Sequence, residues 1–421
     1  MGVTTRSGED AAAGLGTATF APRATGMFSA FSVPGFAPLW ASGLLWHLSR
    51  WGLAFLTAYL VNDLTDSPRM VQLTGAAMWA PLLVGGVAGG VVADRFDRRR
   101  TVLTQLAFLV PLVVAMGLLV TSGRIEVWMV YPFLSLVGVG WVVDMTSRRS
   151  LVFDVVGSEH LDNAMALESL SLSGGIAVGT LLGGTAIGVL GIGEAFFVLA
   201  ALLVVAFFLL SAVPSPPAAV ELAPTRPLAD LRQGMGLLRT HRVLVSILGV
   251  TVLANFFYFA YLPLVQVIAA DLDLGPGLTG LLASATGMGM MTGSLAVARL
   301  RPRRRGIVYT GGTLGGMLLL IGFATLSWFP LVLMFVFLSS IGAGLFGATQ
   351  STLVMITVEA DVRGRALGLL SMAIGALPLG MFALGESAEV LGASTAIVVS
   401  VLTGATLMIA WLATHRAVLR V

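Results

Sequence analysis

An all-α membrane protein with twelve transmembrane helices in two pseudo-symmetric six-helix bundles is the fold class this sequence predicts. Three observations predict it. Mean hydropathy is +0.94 with only 11% charged residues. Apolar runs long enough to cross a bilayer recur from one end to the other. Basic residues gather in alternate loops. A water-facing surface normally carries roughly a quarter of its residues as charges, and a folded soluble chain of 43.8 kDa still exposes too much surface to do without them.

Residues 1–35 are polar, small and Gly/Ala-rich, without an apolar core and cleavage site. They read as a disordered cytoplasmic tail rather than a signal peptide. Spans are expected near 38–61, 71–92, 102–121, 127–147, 164–188 and 193–212, forming a bundle over 36–212. A second bundle, over 243–413, takes spans near 243–269, 276–297, 307–326, 329–350, 366–385 and 391–412. Strands of a membrane barrel would be roughly half as long and would alternate in polarity. Between the bundles, 213–242 is a proline-rich cytoplasmic linker, with a surface helix expected over 228–239. Residues 414–421 form a second cytoplasmic tail.

All 24 basic residues are arginine. With both termini cytoplasmic, 21 face inward, Arg69 and Arg124 lie in outer loops, and Arg50 lies inside the first span. This distribution accounts for the pI near 9.8 through anionic lipid, without a nucleic-acid partner. Arg, Gly and Ala abundance with no Lys suggests a bacterial cytoplasmic (inner) membrane. No cysteine is present, and the four histidines show no ligand spacing, so neither a metal site nor a cofactor is expected. The absence of lysine excludes a phosphate-binding loop, and hence an attached ATPase, and no convergent catalytic set points to an enzyme.

The halves echo each other. GVVADRFDRRR begins at Gly90, and GSLAVARLRPRRR begins at Gly293. Glu159 and Glu359 precede Ala166-Leu167 and Ala366-Leu367 at the same separation. Duplicated six-helix halves are a common way to enclose a transport path.

The loop Gly90-x-x-x-Asp94-Arg95-x-Asp97-Arg98-Arg99-Arg100 resembles the signature loop of the major facilitator superfamily. The stretch SRRSLVFDVVGSEHLDNAMALESL (147–170) is similar to the link before span five in the twelve-span bacterial drug, macrolide and siderophore exporters. The resemblance covers about 38–413. It implies a conformational latch at Gly90, Asp94, Arg95, Asp97, Arg98 and Arg99, made when the cavity faces outward and broken when it opens inward. In the second copy Val297 replaces the acidic residue, so Glu359, Asp361, Arg363 and Arg365 are offered as other participants.

Within the spans, Arg50 falls near mid-bilayer, where a guanidinium is costly unless it meets water or a carboxylate. His47 shares its face. Trp46, Trp51 and Tyr59 are candidate cavity walls, and Asp144 and Glu168 are candidate partners for Arg50; Asp144, near the inner end of span four, is alternatively a cap, a snorkelling group or a partner for Arg148 four residues on. Glu168 has no neighbouring counter-charge in sequence and suits binding of a proton or a cationic substrate, tuned by Arg50; a fixed Arg50–Glu168 or Arg50–Asp144 pair is the plain alternative. In span seven, Asn255 and Tyr258 are expected in the substrate cavity, and Phe256, Phe257 and Phe259 against lipid. Glycines 174, 175, 179, 183 and 184 suggest a close, movable helix seam.

A largely apolar cavity with few charges suits amphipathic organic solutes better than sugars. The expected function is therefore a monomeric secondary transporter working by alternating access. It would export amphipathic compounds, antibiotics among them, by proton-coupled antiport; sodium coupling stays open. Siderophore export, lysophospholipid flipping and nutrient import are alternatives on the same fold.

Overall fold

The computed structural model describes residues 28–95, 97–214, 235–359 and 362–421, with only the backbone of 84–95. The described elements are helices, without a strand among them. In chain order they include α1 (Phe36–Thr65), α2 (Pro68–Arg95), α3 (Arg98–Thr121), α4 (Val127–Leu190) and α5 (Ile192–Ser211). After the linker come α6 (Arg242–Leu253), α7 (Val265–Asp271), α8 (Pro276–Leu300), α9 (Arg305–Thr325) and α10 (Phe329–Thr357). The chain closes with α11 (Arg363–Ile374), α12 (Ala376–Leu391) and α13 (Ala393–Thr414).

Nine helical stretches among the described residues are long and apolar enough to cross a membrane. One of them, α4, has 64 residues. A straight helix of that length would be about three times as long as the bilayer core is thick. Gly157 resolves this: at φ 66° and ψ −174° it breaks the helical path, in a conformation that L side chains rarely adopt. The two arms occupy the positions expected for spans four and five, and much of the expected link at 147–170 is helix on either side of one glycine. Helices α1 and α2 lie outside the nine but have 30 and 28 residues, enough to cross. His47 and Arg50 dilute the apolar character of α1.

Two expected tails are partly built into the fold. Residues 1–27 lie outside the described residues. Ser29–Ser32 form a 3-10 turn, Ala30 is fully buried, and its N–H donates to Asn163 Oδ1 at 2.9 Å. At the other end Arg416–Arg420 form a 3-10 turn, Val418 is buried, and Gly306 N–H donates to the Val421 carbonyl at 3.0 Å. In the linker, 235–240 are helical; the remainder of the expected 228–239 helix lies outside the described residues.

The segment expected as span seven is not one regular helix. After α6, Ala254–Tyr258 form a π-helical turn and Phe259–Leu264 a 3-10 helix containing Pro263, before α7 resumes. Proline lacks the amide donor that a continuous helix would need there. The segment expected as span eleven also bends, at Gly375 between α11 and α12. Both irregularities border the central cavity described below.

Hydrogen bonds between helices before the linker and helices after it share one end of the molecule. Ser67 Oγ donates to Glu389 Oε2 at 2.7 Å, and Arg69 N–H donates to the same oxygen at 3.2 Å. Arg69 faces Glu386 at 3.7 Å. Deeper, Gln72 Nε2 donates to the Ala260 carbonyl at 3.0 Å. Close packing joins them: a Cβ on Gly184 would stand 2.7 Å from Gly280 Cα, so α4 and α8 meet backbone to backbone. The rest of the expected glycine seam divides. Gly175 packs on His47 and Gly179 on Leu48 of α1, whereas Gly174 has nothing within 4 Å.

Candidate functional site

A cavity of about 220 Å³ lies at the centre, walled from both sides of the chain. From the N-terminal side come Arg50, Trp51, Trp79 and Trp141. From the C-terminal side come Asn255, Tyr258, Tyr261 and Phe346, with Gln350 and Leu377. A smaller space of about 80 Å³ shares the walls Trp51, Trp79 and Thr286 and reaches Gln266. A mostly apolar lining with a few polar groups is the usual character of a small-molecule site.

Arg50 is fully buried, and its guanidinium lies 4.3 Å from the Trp141 ring centroid, 4.7 Å from Trp51 and 5.4 Å from Trp79. Trp79 and Trp141 meet edge to face at 4.7 Å. Cation–π attraction and the alkyl stem thus hold a charge that lipid would reject. Neither expected ion pair of Arg50 forms. Asp144 is taken by Arg148, whose Nε donates to Asp144 Oδ1 at 2.8 Å with Nη2 at the same distance. Both side chains are 2% exposed. Arg148 Nη1 also donates to the Leu39 carbonyl at 3.3 Å, tying this pair to α1.

Glu168 stands on the second arm of α4, with Oε1 buried and without a hydrogen-bond partner. Asp144 and Glu168 lie roughly 16–20 Å along their arms from Gly157, at comparable depth. Arg148 and Asp144 are within electrostatic reach of Glu168. These carboxylates do not border the cavity, and neither does His47, whose Cβ is pressed against Gly175. Of the expected aromatic walls Trp51 borders it; Trp46 is buried in the core and Tyr59 stacks on Phe55.

Asn255 and Tyr258 both border the cavity, presented by the π-helical turn. Such turns commonly redirect side chains at functional sites. Asn255 Nδ2 donates to the Thr251 carbonyl at 2.9 Å. Tyr258 offers its ring, since its hydroxyl donates to the Ser339 carbonyl. Behind this wall Thr251 Oγ1 lies 2.7 Å from the Tyr309 hydroxyl and accepts from Gln350 Nε2 at 3.2 Å. Of the three phenylalanines expected against lipid, Phe259 borders the cavity instead; Phe257 packs on Gly404, and the Phe256 backbone meets Gly380.

The signature loop is described in part. Gly90, Asp94 and Arg95 have no described side chains. Asp97 caps α3 by accepting from Arg100 N–H at 2.7 Å. Arg98 pairs with Asp154 at 2.6 Å, and Arg99 Nη2 donates to the Ser211 carbonyl at the end of α5. Arg98 and Arg99 therefore hold neighbouring helices of the N-terminal side, whereas Asp97 stabilises the start of its own helix. In the other half Glu359 meets His241 at 3.3 Å, Arg363 Nε donates to the Met355 carbonyl, and Asp361 lies outside the described residues. Glu359 is held below the usual carboxylate range by its own backbone N–H and by His241.

A family model described as Major Facilitator Superfamily matches residues 39–383. The chain belongs to the Major Facilitator Superfamily. It is 26% identical over 383 residues to YfiS, an uncharacterised MFS-type transporter of Bacillus subtilis (strain 168), covering 87% of this chain and 89% of that one. Its fold is similar to an inward-facing, unoccupied bacterial homologue of the human lysosomal transporter Spinster, with TM-score 0.73, 14% identity, and 92% and 98% of the two chains covered. A D-xylose–proton symporter gives TM-score 0.69, 13% identity, and 89% and 96% coverage. The MFS protein is accordingly a multi-pass membrane transporter.

Proposed function

We propose that this MFS protein is a secondary exporter that binds amphipathic organic compounds in its central cavity and exchanges them for protons by alternating access. The cavity carries this reading. Residues from both sides of the chain wall it, its lining is mainly aromatic and apolar, and its polar groups are few. A sugar site would need a denser hydrogen-bonding lining. Its placement between helices that meet mainly at one end lets a rocking motion transfer the opening from one face to the other.

Glu168 is the coupling group in this proposal. Its unpartnered oxygen and the nearby Arg148–Asp144 pair give a proton a place to bind beside a fixed charge. With the arginine-rich loops cytoplasmic, both termini are cytoplasmic and the contacts at Ser67, Arg69 and Glu389 close the outer face. Glu359 is instead a surface contact of His241. The carboxylate's share of that contact is present above the ordinary carboxylate range and is lost as acidification passes through its lowered pKa.

Counterflow in proteoliposomes tests the function, with amphipathic drugs, siderophores, lysolipids and sugars as the panel under imposed proton or sodium gradients. Exchange of drugs driven by the proton gradient is expected, and Glu168→Gln should retain exchange but lose the drive. Exclusive exchange of sugars, or full proton drive in Glu168→Gln, would overturn the substrate or coupling assignment respectively. Because the chain has no cysteine, the paired variant Ser67→Cys/Glu389→Cys is informative without background. It should cross-link under oxidation and stop transport until reduced; unaltered transport in the cross-linked protein would refute closure at this end.

A further inference from the structure

The geometry points to Arg50 as a docking group for an oxyanion, so that the cargo is an amphipathic organic anion with a carboxylate head and an apolar or aromatic body. This deepens the preceding reading and rests on the cavity being the cargo site.

The first support is the state of the guanidinium. Arg50 is 0% exposed, yet Nε, Nη1 and Nη2 have no hydrogen-bond partner. A buried charged donor without an acceptor is among the most costly groups a fold can hold. Its aromatic neighbours do not remove that cost. Indole rings satisfy the faces of a guanidinium, whereas its five N–H donors point outward in its plane. Trp51, Trp79 and Trp141 therefore flank the group without serving its N–H donors, which a ligand in the adjoining cavity reaches once a side chain of this wall moves aside.

The second support is charge. Among the described residues, the fully buried Arg, Asp and Glu side chains are Arg50, Arg148 and Asp144. Asp144 is committed to Arg148, and Glu168 makes no hydrogen bond to Arg50. Arg50 is left without an ion pair or hydrogen bond of its own, and it borders the central cavity. A carboxylate matches the planar fork of a guanidinium with two parallel hydrogen bonds and neutralises it. A cationic amphipath would add like charge, and a neutral one would leave the donors poorly served. The opposite wall, Tyr258, Tyr261 and Phe346, suits the body of such a molecule.

Calorimetric binding of 1-naphthaleneacetate, its neutral amide and 1-naphthylmethylammonium to the purified full chain tests the assignment. The carboxylate should bind at least about tenfold more tightly than the amide, and the ammonium compound least. Arg50→Gln should bring the carboxylate-to-amide ratio close to one, and Arg50→Lys should restore part of it. Equal affinities in the wild type, a preference that survives in Arg50→Gln, or no binding would overturn the inference. Should Arg50→Gln not fold, Arg50→Met takes its place, and the wild-type ratio decides independently. Competition by acetate as strong as that by 1-naphthaleneacetate would overturn the amphipathic part of the assignment. Counterflow of the amide separates this inference from the transport reading. Exchange of the amide without a carboxylate preference removes only the role of Arg50. A carboxylate preference without exchange of either compound removes only the transport assignment.

Discussion

Asp144→Leu should destabilise the protein by about 3–5 kcal/mol, the loss expected when one partner of a buried ion pair is removed and the other stays. The cause is Arg148, which would keep its charge at 2% exposure with its carboxylate gone. Reversible unfolding in mixed detergent micelles measures the loss. The double variant Asp144→Leu/Arg148→Met should recover most of it, because apolar groups of similar volume often replace a buried pair without loss. A single substitution costing less than about 1 kcal/mol, the scale of an exposed pair, would show that the two charges do not depend on each other. The comparison also separates the pair's structural work from proton coupling, since Glu168→Gln should alter the response to a proton gradient rather than the unfolding midpoint.

The second large effect is expected at the seam between α4 and α8. Gly184→Leu places a branched side chain where α4 meets α8, with Gly280 Cα only 2.7 Å from the first added carbon. Overpacking typically costs about 1–3 kcal/mol, and here it falls on the conformation in which these helices touch. Transport should drop about tenfold to 100-fold, because the conformational cycle must pass through a state disfavoured by that amount. Gly174→Leu, on the same arm with open space around it, is the matched control and should transport normally. Similar losses in both variants would indicate a general helix defect rather than an obstructed seam.

Both predictions depend on features that differ in how far the chain announces them. Asp144 and Arg148 stand one helical turn apart, so their pairing was open to reading from spacing. Their depth was not. Asp144 looked like an end-of-helix residue, because the polar run after it resembled a loop; the helix instead continues to Gly157. Local polarity misplaced the boundary because packing within the fold supports a helical turn whose composition alone would not hold it in lipid. Likewise the glycines after 174 signalled close approach, but their partners, α1 for Gly175 and α8 for Gly184, come from distant parts of the chain.

Arg50 shows the same division at the cavity. Its charge within an apolar run marks it as exceptional, and Asp144 and Glu168 are the partners the sequence offers it. Three tryptophans from α1, α2 and α4 surround it instead. Trp79 and Trp141 had no sequence signal beyond being aromatic residues in apolar segments, where most aromatics only pack. Asn255 and Tyr258 were legible as polar interruptions, whereas the π-helical turn that brings both to the cavity wall was not.

By itself the sequence determined the solvent and the helical class: scarce charge and long apolar runs require helices in lipid. Tertiary structure alone decided which polar groups meet. Backbone hydrogen bonding is satisfied locally along each helix, so composition can specify it. The partner of a buried side chain is set by how distant helices rotate and pack, and no periodicity within one span contains that information.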